Sequence, residues 1–162
     1  MAYVSKEDKA KLSVGIKAVL KKFGMKGSIS VRNGTGLVVK LKPGPLDILG
    51  AYKQQALDDH RRDRFDPVEV ERLNHLLART YIDVNNYYIS ESFGEGKVTQ
   101  FLTELKDAME GPGYFNHDDG MTDYFHRSHY TYIYVGQWDK PYTCTGETKT
   151  FEPVELQVYE PA

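Results

Sequence analysis

Cysteine is nearly missing from this chain: Cys144 is the single one in 162 residues. A lone thiol excludes an internal disulfide framework and a zinc site built from several cysteines. A reducing cytoplasm is the expected setting. Long apolar runs are missing too, and none approaches the roughly 18 residues that a membrane span needs. The opening residues Met1-Ala2-Tyr3-Val4-Ser5-Lys6 lack the apolar stretch of a secretory signal. The familiar catalytic signatures are also lacking: there is no G-x-S-x-G elbow, Walker A loop, G-x-G-x-x-G turn, H-E-x-x-H pair or EF-hand loop. What remains is 40% hydrophobic and 27% charged, the make-up of an ordinary globular domain. The length suits one domain with its own core.

The net charge of −2 hides an asymmetry. Residues 1–42 carry 10 basic side chains against Glu7 and Asp8, a balance of +8, while the rest carries 11 basic against 21 acidic, or −10. Such asymmetry points to contact with nucleic acid or another polyanion. The internal alternative is that the basic element packs beside an acidic one.

The pattern along the chain predicts an α+β single domain, with an N-terminal helix, an antiparallel hairpin, helices, and then one or two C-terminal strands. Ser5 and Asp8 have capping-box spacing for a helix over 5–23. Leu12, Ile16, Val19 and Phe23 form its apolar stripe, and Gly24 ends it. Ile29 and Val31, then Leu37, Val39 and Leu41, alternate with polar residues around Asn33-Gly34, a strong hairpin signal. This places Arg32, Lys40 and Lys42 on the more polar face. Helical spacing continues over 46–57, followed by a mixed-charge connector at 58–64. Asp66-Pro67-Val68-Glu69 opens a further helix with Val70, Leu73 and Leu77 inward. Residues 81–89 fit either a strand or a structured loop. Val98, Phe101, Leu102, Leu105 and Met109 mark an amphipathic helix over 95–109. Residues 128–135 read as a strand with Tyr130, Tyr132 and Tyr134 on one face. The domain is drawn at 1–142, with 143–162 as an extension in which Val154, Leu156 and Val158 form a candidate edge strand.

The densest chemical cluster is Asn116-His117-Asp118-Asp119 with Asp123, His126 and His129. His117, Asp118, Asp119 and His126 have the donor types for zinc, manganese or non-haem iron. Asn116–Gly120 equally reads as a turn whose side chains satisfy nearby N–H groups, so no metal or other cofactor is expected. Asn33-Gly34-Thr35-Gly36 is more economically a turn than a phosphate cradle. Glu91 and Glu95, four apart before a helix, favour its dipole. Cys144 has no sequence-adjacent histidine to activate it.

Tyrosine is the unusual abundance, with 12 against 7 phenylalanines and 1 tryptophan. Tyrosine gives rigid amphipathic contact area at interfaces and stacks on unpaired bases. A row at 130, 132 and 134 suits either use, unless a helix covers it.

Several stretches together resemble a large polyvalent protein-associated domain family of small phage and mobile-element proteins. They are Ile16-Lys17-Ala18-Val19 with Lys21-Lys22-Phe23-Gly24, Ser30-Val31-Arg32-Asn33, Phe101-Leu102-Thr103-Glu104 with Asp107-Ala108-Met109, Asn116-His117-Asp118, Met121-Thr122-Asp123-Tyr124-Phe125, and Gly136-Gln137-Trp138-Asp139-Lys140-Pro141-Tyr142. The resemblance covers about residues 3–142. It departs at Gly34-Thr35-Gly36, where the pattern has a histidine after the Arg-Asn pair, and at His126, where it has an acid. It implies a phage protein working in the host bacterial cytoplasm against a defence system, and it brings no catalytic residues with it. The expectation is a non-enzymatic inhibitor whose partner is a host defence protein or complex, with CRISPR effectors the leading class. Tyr130, Tyr132 and Tyr134 would anchor the contact, and Asp118, Asp119 and Asp123 would supply negative charge toward a basic channel. The alternative is nucleic-acid binding through Lys17, Lys21, Arg32 and Lys40. A second alternative is a metal-dependent hydrolase or nucleotide sponge at the histidine–aspartate cluster.

Overall fold

The computed structural model describes residues 4–62, 67–112, 114, 129–137, 139–148 and 150–153. The first helix, α1 (Lys6–Lys22), is capped as its sequence predicts. The Asp8 N–H donates to Ser5 Oγ at 3.0 Å and the Ser5 N–H donates back to Asp8 Oδ2 at 3.2 Å. Ile16 and Leu20 are its buried side chains. Phe23, expected as its last residue, is its buried C-cap, followed by Gly24 at φ 68°.

Strands β1 (Gly27–Arg32) and β2 (Gly36–Leu41) form the hairpin, with Asn33 and Gly34 at φ 54° and 70° in the turn. Both values lie in the left-handed region that Asn and Gly tolerate best. Helix α2 (Ile48–Arg62) differs from the expected 46–57 at both ends. Its start is set by Asp47, whose carboxylate accepts the Gly50 N–H at 2.9 Å while its carbonyl accepts that of Ala51. Its end runs through much of the supposed connector, where Gln54 and Gln55 donate one turn on to Asp58 and Asp59. Such i,i+4 pairs extend a helix.

Helix α3 (Pro67–Leu77) starts on its proline and buries Val70, Leu73 and Leu77. Asp66, its expected cap, lies outside the described residues. The ambiguous stretch resolves into strand β3 (Ile82–Val84), a turn, and the short helix α4 (Ile89–Phe93). Helix α5 (Lys97–Glu110) starts two residues later than expected, because Gly96 at φ 145° forms its N-cap. Its Phe101, Leu102, Leu105 and Met109 are all fully buried. Strand β4 (Tyr130–Val135) completes a four-stranded mixed sheet in the order β1-β2-β4-β3. The architecture is α+β.

β2 and β4 are the central pair and run parallel, whereas β1–β2 and β3–β4 are antiparallel. A parallel neighbour needs a long crossover, and α2 to α5 lie within it. One sheet face carries Leu37, Val39, Leu41, Ile133, Val135 and Ile82 into a core with side chains of α1, α2, α4 and α5. The pleat therefore turns Ser28, Ser30, Arg32, Lys40, Asp83 and the three tyrosines to the other face.

Past β4, Gly136 at φ 73° sends the chain into a tight turn in which Gln137 and Lys140 exchange backbone hydrogen bonds of 2.8 and 3.1 Å. Tyr142 then plugs the sheet end. It is buried, its hydroxyl donates to the Leu46 carbonyl at 2.7 Å, and burial pushes its phenol above the ordinary range. Cys144 bridges to Gly44 and packs against the core, so this beginning of the extension joins the domain. The candidate strand at Val154, Leu156 and Val158 lies outside the described residues.

Candidate functional site

The side chains with most chemistry to offer meet on the sheet face opposite the core. Tyr130, Tyr132 and Tyr134 alternate with the core residues of β4, so the pleat alone makes them a row. Ring centroids are 6.5 Å apart from Tyr130 to Tyr132 and 6.4 Å from Tyr132 to Tyr134, the latter pair only 4° from parallel. The spacing is that of every second residue along a strand. All three keep partial exposure. The row leans toward β2, where Gly36 makes room: a Cβ there would stand 2.5 Å from Tyr132 Cε2.

Arg32 enters the row from β1. Its Cζ sits 5.4 Å above the Tyr132 ring and its Nη1 donates to the Tyr134 hydroxyl at 2.7 Å. A guanidinium over an aromatic face is held by the ring quadrupole. The hairpin tip that positions Arg32 is tied at both sides, because the Val4 N–H donates to the Gly34 carbonyl and the Tyr130 N–H to the Thr35 carbonyl.

Register places Lys40 of β2, Tyr134 of β4 and Asp83 of β3 side by side across the sheet. With Tyr81, Gln137 and Asp139 they line an open hollow of about 450 Å³ at the end of the tyrosine row. Asp83 carries no signal in the sequence, and Asp139 stands there only within the Gly136–Tyr142 motif, with no site role. They reach the hollow through the β3–β4 pairing and the 137–140 turn, and neither contact has a local signature.

The other sequence candidates fall elsewhere. Lys17 and Lys21 are exposed on α1, in the helical layer on the far side of the sheet from Arg32 and Lys40. Lys22 meets Glu104 of α5 at 2.6 Å, and that hydrogen bond holds the Glu104 carboxyl below its ordinary range. The basic helix thus does pack beside an acidic partner at this point. Asp118, Asp119, Asp123, His117 and His126 lie outside the described residues. His129, grouped with them in the sequence, is buried, with Nε2 donating to the Met109 carbonyl at 2.8 Å and Tyr114 edge-on at 5.4 Å. That contact ties the start of β4 to the last turn of α5. Among the described residues, no group of three His, Cys, Asp or Glu side chains is placed to hold a metal ion. Nor is any described helix long and apolar enough to cross a membrane.

What the described face offers is contact: flat aromatic area, a fixed guanidinium and a polar hollow. No family model, curated protein or solved structure matches this chain.

Proposed function

We propose that this is a phage-encoded binding protein that inhibits a bacterial defence system by stoichiometric contact with a host effector, with CRISPR effectors the leading class. The observation that carries the binding part is the tyrosine row on the sheet face turned away from the core, with Arg32 fixed upon it. Tyrosine and arginine are the residue types in which interface energy concentrates. Rings already ordered by their neighbours lose little freedom on binding. The phage setting rests on the resemblance of the sequence motifs, and the action requires no catalytic step.

A second reading, nucleic-acid binding, is favoured by Arg32 and Lys40 flanking stackable rings. It is weakened by the separation of Lys17 and Lys21 from that face, since phosphate-tracking surfaces gather their cations along one groove.

A tagged pull-down from the natural host during infection, with nuclease-treated and untreated halves, tests the proposal. The expected result is a stoichiometric host effector that survives nuclease. Tyr132→Ala should weaken its capture by roughly 30-fold, the size of a 2 kcal/mol hot spot. Recovery of nucleic acid alone, with partners lost after nuclease, would overturn it in favour of the second reading.

A further inference from the structure

The hollow beyond Tyr134 has a definite chemical character. Its lining carries the carboxylates of Asp83 and Asp139 and the ammonium of Lys40, and the Arg32 guanidinium reaches the Tyr134 hydroxyl at its edge, so the cations come from β1 and β2 and the carboxylates from β3 and the 137–140 turn. Tyr134 and Tyr81 supply aromatic surface, and Tyr81 is 38% exposed. Lys40 stands at one side of the row and Asp83 two strands away, about 10 Å between backbones. An incoming positive group therefore has an acidic side to settle against.

The same face already shows what suits its rings. Arg32 lies on Tyr132 and reaches the hydroxyl of Tyr134. The hollow begins on the next ring of that row. Resting on the binding reading above, we infer that it receives an arginine side chain of the partner protein. The guanidinium would lie against Tyr134 and donate its forked N–H groups to Asp83 and Asp139. Lysine fits this arrangement less well, because a compact ammonium neither stacks nor forks. Basic nucleic-acid channels are rich in such side chains, and the hollow would engage one of them through this contact.

The charge of the guest decides the sign of a Lys40 substitution. If the guest is cationic, Lys40 opposes it, and Lys40→Ala tightens binding. If the guest is an anion such as a phosphate, Lys40→Ala weakens binding.

The test is an amide NMR titration of the full chain with acetylated, amidated Gly-Arg-Gly, with the matching Gly-Lys-Gly, and with an eight-residue oligothymidylate. The arginine peptide should shift the amides of Asp83, Gly136 and Asp139, with the lysine peptide about fivefold weaker. The double variant D83N/D139N should bind the arginine peptide about tenfold more weakly, and Lys40→Ala about threefold more tightly. Absence of shifts around the hollow, equal response to the lysine peptide, or weaker binding after Lys40→Ala would each overturn the inference. So would oligothymidylate moving the same amides.

Failure here is separable from failure of the parent reading. If host-effector capture survives D83N/D139N but is lost in Tyr132→Ala, the binding face stands and the arginine pocket falls. Loss of nuclease-resistant capture by the unaltered protein removes the parent reading itself.

Discussion

At the scale of single residues, the start of α1 is a reciprocal pair. Ser5 and Asp8 each satisfy the other's backbone N–H, two of the four donors a helix leaves unpaired at its first turn. Ser5→Ala should cost about 1 kcal/mol at neutral pH, read from urea unfolding. The hydrogen bonds from Ser5, side chain first and then backbone, hold the Asp8 carboxyl below its ordinary range. A carboxylate depressed in the folded state contributes stability that is present above its unfolded value, about 3.9, and lost as pH falls through the lower folded value. The Ser5→Ala deficit should therefore shrink in acid below that window, and Asp8→Asn should flatten the acid limb attributable to this cap. An equal deficit at pH 7 and pH 2 would show that the ionised Asp8 carboxylate adds nothing to what the Ser5 hydroxyl supplies. Both residues were legible from the sequence because a capping box spans only four positions. Asp47 was harder to read: the Pro43-Gly44-Pro45 break draws the eye to Leu46 as the helix start, whereas Asp47 sets it through its side chain.

At the scale of elements, α5 and β2 hold the fold. Four apolar side chains of α5 are fully buried, and β2 lies between two strands with Leu37, Val39 and Leu41 in the core. Leu105→Ala removes packed volume from the core cluster, where Leu105 is fully buried, and should destabilise by about 2–5 kcal/mol in chemical unfolding. Val14, 71% exposed on α1, is its internal control, and Val14→Ala should stay within about 0.5 kcal/mol. Comparable losses at the two positions would mean that α5 is not the core helix. Periodicity read α5 and the hairpin well because each signal is contained in its own segment. It did not reveal that β2 pairs in parallel with β4, since that contact joins residues some ninety positions apart. The three-residue β3 likewise gains its identity from β4, against which Ile82, Asp83 and Val84 are registered. Its own composition, rich in asparagine and tyrosine nearby, suits a loop as well as a strand.

At the scale of the whole molecule, the charge asymmetry along the chain is divided between the two layers of the fold. The N-terminal cations do not form one surface: Lys17 and Lys21 stand on the helical side, Lys22 is paired with Glu104, and Arg32 and Lys40 stand on the tyrosine side. The tyrosine row was visible in the sequence as strict alternation. The hollow at its end was not, because Asp83, Gln137 and Asp139 meet Tyr134 only through sheet register and a turn. This layering separates the protein-contact and nucleic-acid readings by mutation. Reversing Lys17 and Lys21 together (K17E/K21E) changes the net charge by −4 while leaving the sheet face untouched. If partner contact runs through the tyrosines, capture of the host effector should fall by less than about threefold at physiological salt, where the screening length is about 8 Å. Arg32→Ala, by contrast, removes a group that touches two of the three rings and should weaken capture about tenfold, most of it as faster dissociation. Biolayer measurements of association and dissociation rates at two salt concentrations would check both. A tenfold loss in K17E/K21E with a steep salt slope would move the contact surface to the helical layer, as a phosphate-tracking protein requires.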